Sequence, residues 1–252
     1  MRPMRHSPKR EAPANDASSY NAPLAPKPPF TARRDFLTRA TVGTVGAAIA
    51  AAGLSATPAF AAAQPSTPDR PVEPWDETWL TKITGKHKQF FDAMSPNEGF
   101  ALLFAANFLN LYNEAYNIPD AQLSAVVGIR HFATPIAFND TIWSKYKLGE
   151  FFKVMDPKTK APATRNIFTY DDGMMFPNAS VQKLQARGVI FTMCNVALTV
   201  LSGMAAEAAG LPAANAKAEW VAGLLPGVTL VPVGVLAVNR AQEKGCTYCA
   251  GG

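Results

Sequence analysis

The sequence predicts an α/β fold: a single three-layer α/β/α domain with a mostly parallel sheet. Two observations carry this. Apolar runs of strand length alternate with segments of helical period from residue 86 to residue 244. One run, Leu-Ser-Ala-Val-Val-Gly-Ile at 123–129, is apolar but for its serine, the pattern of a strand buried on both faces of a parallel sheet. No internal repeat of usable period is visible.

The elements follow in order. Residues 86–94 read as a first strand, with Phe90 and Phe91 at its centre. Ser95, Pro96 and Glu98 have the spacing of a helix start: an N-cap, a proline at the first position and a capping-box acid. The helix they open, 97–117, sets Leu103, Ala106, Phe108 and Leu111 at helical spacing and closes at Pro119 and Asp120. The apolar strand 123–129 leads into the loop Arg130-His131-Phe132-Ala133-Thr134-Pro135. Residues 136–180 read as an excursion with one short helix near 140–146, and a short helix at 181–187 returns to the sheet. A third strand spans 188–193, followed by Cys194, Asn195 and a helix over 196–209, ended by Gly210 and Pro212. A helix over 213–224, a strand over 228–231 and a helix over 234–244 complete the series, with Gly245 as C-terminal cap. Residues 189–211 and 221–238 are apolar enough to suggest membrane spans, but strand followed by helix accounts for both.

The first sixty residues have a different character. Residues 1–30 are rich in Pro, Ala, Ser and charge and lack apolar periodicity, which predicts disorder. Arg33 and Arg34, followed by Phe36 and Leu37, resemble a twin-arginine export signal. A weakly apolar stretch over 40–53 and the small residues Ala59 and Ala61 complete a signal peptide, with cleavage after Ala61; an uncleaved anchor is the competing reading. Residues 1–61 hold eight Lys/Arg and three Asp/Glu, whereas 62–252 hold sixteen of each. The basic balance therefore belongs to the leader, and no nucleic-acid partner is expected. The expected organisation is a leader (1–30), a signal peptide (31–61), a Pro-rich lead-in pinned by Trp75 and Trp79 (62–85), the α/β domain (86–244) and a C-terminal Cys-x-x-Cys tail (245–252). The expected location is the periplasm, reached through the twin-arginine export machinery.

Cys194 is the leading site candidate. It stands where a buried strand becomes a helix, and the free amides and dipole of a helix N-terminus favour an anion, a thiolate included. A buried cysteine that only packs is the competing reading. His131 follows the second strand, and in a parallel sheet all strand C-termini open on one edge, so it is expected near Cys194, where an imidazole can move a proton. Arg130 and Asn195 are further candidates at that edge. Cys246 and Cys249 form a C-x-x-C after the last helix. They read as a dithiol or local disulfide able to exchange with Cys194, or as half of a metal site with His131 or His87. The redox reading is preferred because no second ligand pair is spaced for zinc, and no metal is expected. Haem attachment fails because Ala250 stands where C-x-x-C-H requires His. Rossmann, Walker, nucleophile-elbow and zincin motifs are missing, so no cofactor is expected.

The strand–Cys–helix unit Gly188-Val189-Ile190-Phe191-Thr192-Met193-Cys194-Asn195 resembles that of the DsrE/DsrF-like sulfur-relay family, over roughly residues 87–240. The resemblance implies a DsrE-like α/β domain, Cys194 as a persulfide carrier, a sulfur-donor or thiol-redox partner, and self-association into a homo-oligomer. The export signal, the longer segment between the second and third strands and the C-terminal cysteine pair depart from the family pattern. The expected function is sulfane-sulfur or thiol-redox chemistry at Cys194, with Cys246 and Cys249 resolving or recharging it. A non-catalytic periplasmic module that binds a small ligand or metal is the alternative, and turnover as an enzyme is left open.

Overall fold

A computed structural model of the chain describes residues 74–171 and 176–252; the expected leader, Arg33, Arg34 and the cleavage point after Ala61 lie outside the described residues. Five parallel strands form one sheet in the order β4-β3-β2-β1-β5. They are β1 (His87–Ala93), β2 (Leu123–Ile129), β3 (Ile190–Cys194), β4 (Val228–Val231) and β5 (Thr247–Ala250). The helices are α1 (Thr78–Thr81), α2 (Phe100–Tyr116), α3 (Asp140–Lys145), α4 (Leu148–Phe151), α5 (Val181–Ala186), α6 (Asn195–Ala208), α7 (Ala216–Ala222) and α8 (Gly234–Glu243). The chain steps one way across the sheet from β1 to β4, then returns past β1 to add β5. Right-handed crossovers require the return helix, α8, to cover the opposite face from the outward helices. The packing agrees. Phe91, Val127 and Phe191 face α2, α5 and α6, whereas Phe90, Val126 and Ile190 face α1 and α8. The fold is thus a three-layer α/β/α domain with an all-parallel sheet.

Every residue of β2 is buried, as its largely apolar run requires in the middle of a covered sheet, and the one polar side chain, Ser124, accepts from the Gly85 amide at 2.8 Å. Gly128 sits there because a Cβ would collide with the Phe90 ring on the neighbouring strand. At the opposite end of the sheet from the strand C-termini, Arg187 ties the α5 turn to the end of α2. It donates to both Asp120 oxygens, at 2.8 and 2.9 Å, and to Asn110 and Asn113. The Arg187 hydrogen bonds, against an opposing effect of burial, hold the Asp120 carboxyl below the ordinary carboxylate range. A group with a lowered folded value stabilises the fold above the ordinary range and loses that contribution as pH falls through the folded value. Asp120→Asn is therefore expected to lower stability near neutrality, with the difference from the parent shrinking as pH falls below the ordinary carboxylate range, measured by urea unfolding across that range.

Three boundaries differ from the sequence expectation. The capping box does not form: Asn97, Glu98 and Gly99 all have positive φ, and α2 begins at Phe100 with no side-chain cap. Local capping yields to tertiary structure, since the amides of Met94 and Ser95 both donate to the Gly252 carbonyl oxygen. The lead-in is part of the domain from α1 onward, because Trp79, Leu80 and Ile83 are buried against the sheet, while Trp75 is exposed. The expected tail is the edge strand β5, paired with β1 from Gln89↔Thr247 to Asp92↔Ala250. The apolar stretches at 189–211 and 221–238 resolve into strands and helices, and among the described residues no helix is long and apolar enough to cross a membrane.

Candidate functional site at the strand C-termini

Three consecutive strands, β2, β3 and β4, end on one cavity of about 330 Å³. After β2 come Arg130, His131 and Phe132; after β3 come Cys194, Val196 and Ala197; after β4 come Val233, Gly234 and Val235. This is the edge of an α/β sheet where ligands ordinarily bind. The β2 loop is held by its surroundings. The Arg130 amide donates to the Ala93 carbonyl and the Ala133 amide to that of Met94. Trp143 Nε1 donates to the Pro135 carbonyl at 2.9 Å, and the buried Asn166 amide donates to the carbonyls of Ile136 and Phe138. The turn after Arg130 puts His131 at φ 53°.

Cys194 closes β3 and is 5% exposed. Alternation along β3 puts its side chain on the face of Ile190 and Thr192, toward α8. It is also the N-cap of α6, and its Sγ accepts from the Ala197 amide at 3.4 Å. The thiol thus takes the place that a hydroxyl or carboxylate oxygen fills at most N-caps.

Beside it lies a buried ion pair that sequence reasoning missed. Asp92, one residue before the end of β1, is 1% exposed. Arg130 Nε and Nη2 donate to its two oxygens at 2.7 and 2.8 Å, and Tyr248 Oη on β5 donates to Oδ2 at 2.9 Å. The hydrogen bonds to Asp92, opposed by burial, raise the Arg130 guanidinium above its ordinary value. Asp92 and burial likewise raise the Tyr248 hydroxyl. Gly234 completes the seat, because a Cβ there would lie 2.7 Å from Arg130 Cδ and 2.8 Å from its Cβ. The signal available in the sequence was the acid itself: an Asp inside the apolar run Phe-Phe-Asp-Ala cannot be buried without a partner.

Cys194 and His131 both line the cavity, His131 on its exposed rim with its ring edge-on to Phe132 at 4.6 Å. Asn195 does not line it; its carbonyl accepts from Thr199 Oγ1 within α6.

Cys246 and Cys249 are not brought to Cys194. Cys249 lies level with Phe91, Val127 and Phe191, three strands from β3. Three strand spacings and three residues of rise put it about 14 Å across and about 10 Å along the sheet from Cys194. Cys246 lies farther still toward the strand starts. The two are not brought to each other either: Cys246 packs with Phe90 on the α8 face and Cys249 against the opposite core. Burial pushes the Cys246 thiol up to about 11 and also raises Cys249. All three cysteines are free thiols. Among the described residues no group of three or more His, Cys, Asp and Glu is placed to hold a metal ion. His87, at the start of β1, stacks on Tyr112 at 4.6 Å.

No family model matches the sequence, and no curated protein matches it. Among solved structures, MTH1491 from Methanobacterium thermoautotrophicum, a protein of unknown function, is similar at 18% identity. The match covers 65% of this chain and 98% of that one, with a TM-score of 0.36, a likeness too distant to carry an argument about fold or function.

Proposed function

We propose that this chain is an exported DsrE-like thiol protein that accepts sulfane sulfur at Cys194. The observation that carries the proposal is the seat of that thiol: the end of a central parallel strand, the N-cap of a fourteen-residue helix and the floor of a cavity. In the proposed step the Cys194 thiolate attacks the outer sulfur of a persulfide, R–S–SH. The donor S–S bond breaks, R–S⁻ leaves with the electron pair, and Cys194 carries –S–SH. An acceptor thiolate then attacks the outer sulfur and Cys194 departs as thiolate. The Ala197 amide faces the sulfur that carries charge at both ends of the cycle. His131, on the rim, is the group assigned to protonate the leaving thiolate. Cys246 and Cys249 have no part in this cycle, so the acceptor thiol comes from a partner or from solution.

Incubation with an alkyl persulfide donor, R–S–SH, is expected to add sulfur to Cys194, read by intact mass and peptide mapping, and Cys194→Ser is expected to lose the adduct. A variant that keeps the full adduct would remove the proposal. The apolar lining of the cavity favours a second reading, a module that holds a small ligand without turnover; an inert Cys194 with a bound ligand would establish it. Export rests on residues 31–61. Replacing Arg33 and Arg34 with Lys is expected to hold the chain in the cytoplasm, and unchanged recovery from the periplasm would refute the twin-arginine route.

A further inference from the structure

The walls of the Cys194 cavity are apolar and stand open. Phe132, Val196, Val200, Met204 and Val235 line it, and each keeps roughly half of its surface in contact with solvent. Three of them, Val196, Val200 and Met204, recur every four residues along α6, a second apolar stripe beside the one that faces the core through Leu198, Leu201 and Ala205. The polar groups on the cavity are Arg130, His131 and Cys194. Arg130 offers little free charge, because Asp92 neutralises it through two hydrogen bonds. Among the described residues, the site therefore lacks the unpaired cationic cluster that a multiply charged anion needs on leaving water. Its volume of about 330 Å³ is at the small end of ligand sites.

We infer that the compound reaching Cys194 is an organosulfur species with an uncharged aliphatic or aromatic chain, such as an alkyl persulfide, R–S–SH. The inference rests on the reading that Cys194 is the reacting group. The chain lies against Val196, Val200 and Met204 and gains by burying apolar surface on both sides. The reactive sulfur points down to Cys194, which a narrow molecule reaches through the cavity. An inorganic polysulfide or a thiol with several charged groups is disfavoured by the same walls.

The test uses alkyl methanethiosulfonates on the full chain. The Cys194 thiolate attacks the sulfenyl sulfur, the S–S bond breaks, and methanesulfinate leaves with the electron pair, so the product is a Cys194–S–S–R disulfide. Rates for the methyl, hexyl and anionic sulfonatoethyl reagents are each divided by the rate with a free model thiol, and adducts are located by peptide mass. The hexyl reagent is expected to exceed the methyl reagent by at least about tenfold after that correction, with the anionic reagent slowest. Met204→Glu is expected to collapse the hexyl-to-methyl ratio, whereas Tyr116→Ser, on the exposed face of α2, is expected to leave it unchanged. Equal corrected rates for all reagents, or a faster anionic reagent, would overturn the inference and leave Cys194 as the reacting thiol. Rates that rise on dilution would overturn it too, by assigning the apolar face to a second copy of the chain. No adduct at Cys194 with any reagent would overturn the underlying reading as well.

Discussion

Arg130→Ala is expected to destabilise the domain by about 3–5 kcal/mol, the range found when one partner of a buried ion pair is removed. The effect comes from what stays behind. Asp92 is 1% exposed, and both of its oxygens accept from Arg130. Without the guanidinium, the carboxylate keeps, among the described residues, the Tyr248 hydroxyl on one oxygen. Arg130 itself is 23% exposed, so its own loss of burial is the smaller part. The double replacement Asp92→Asn, Arg130→Met is expected to recover more than half of the loss, because it removes the unpaired charge along with its partner. Urea unfolding of the two single variants and the double variant checks this. A loss below about 1 kcal/mol for Arg130→Ala would mean that the pair behaves as a surface salt bridge.

Truncation after Lys244 is expected to cost on the order of 4 kcal/mol or more, a large part of the 5–15 kcal/mol that holds a typical domain together. The eight residues removed contribute the β1–β5 ladder, the burial of Cys246 and the Tyr248 hydrogen bond to Asp92. They also supply the Gly251 amide to the Asp92 carbonyl and the Gly252 carbonyl oxygen to the amides of Met94 and Ser95. Each hydrogen bond adds about 1 kcal/mol net, and the buried thiol adds apolar burial. A mobile Cys-x-x-Cys tail would make the truncation silent in thermal and urea unfolding.

The strand-to-helix junctions were legible in the sequence wherever one periodicity gave way sharply to another. A largely apolar run needs a sheet covered on both faces, so the residues of β2 alone were enough to place that strand and the loop after it. The same logic put Cys194 at a helix N-terminus and His131 on its edge. β5 was missed because it is short and because Cys249 within it, with Cys246 just before it, carries a motif with a redox association. What it buries is set by β1 and α8, which pack against it through contacts that no local pattern spells out. Thr247 and Tyr248, β-formers two and three residues after the Gly245 cap, were the available signal. The capping box at residues 95–98 misled for a related reason: the backbone there folds around Gly252, a long-range contact. The apolar wall of the cavity was hidden because the outward stripe of α6 and its core-facing residues merge into one apolar run in the sequence.

The most direct test of sulfur transfer at Cys194 is intact-mass analysis of the purified chain before and after exposure to a sulfane-sulfur donor, with peptide mapping of all three cysteines. The expected result is added sulfur on Cys194 alone, removed by a small thiol, with Cys246 and Cys249 remaining unmodified thiols in the folded protein. An unmodified Cys194, or sulfur carried by Cys246 and Cys249 instead, would contradict it.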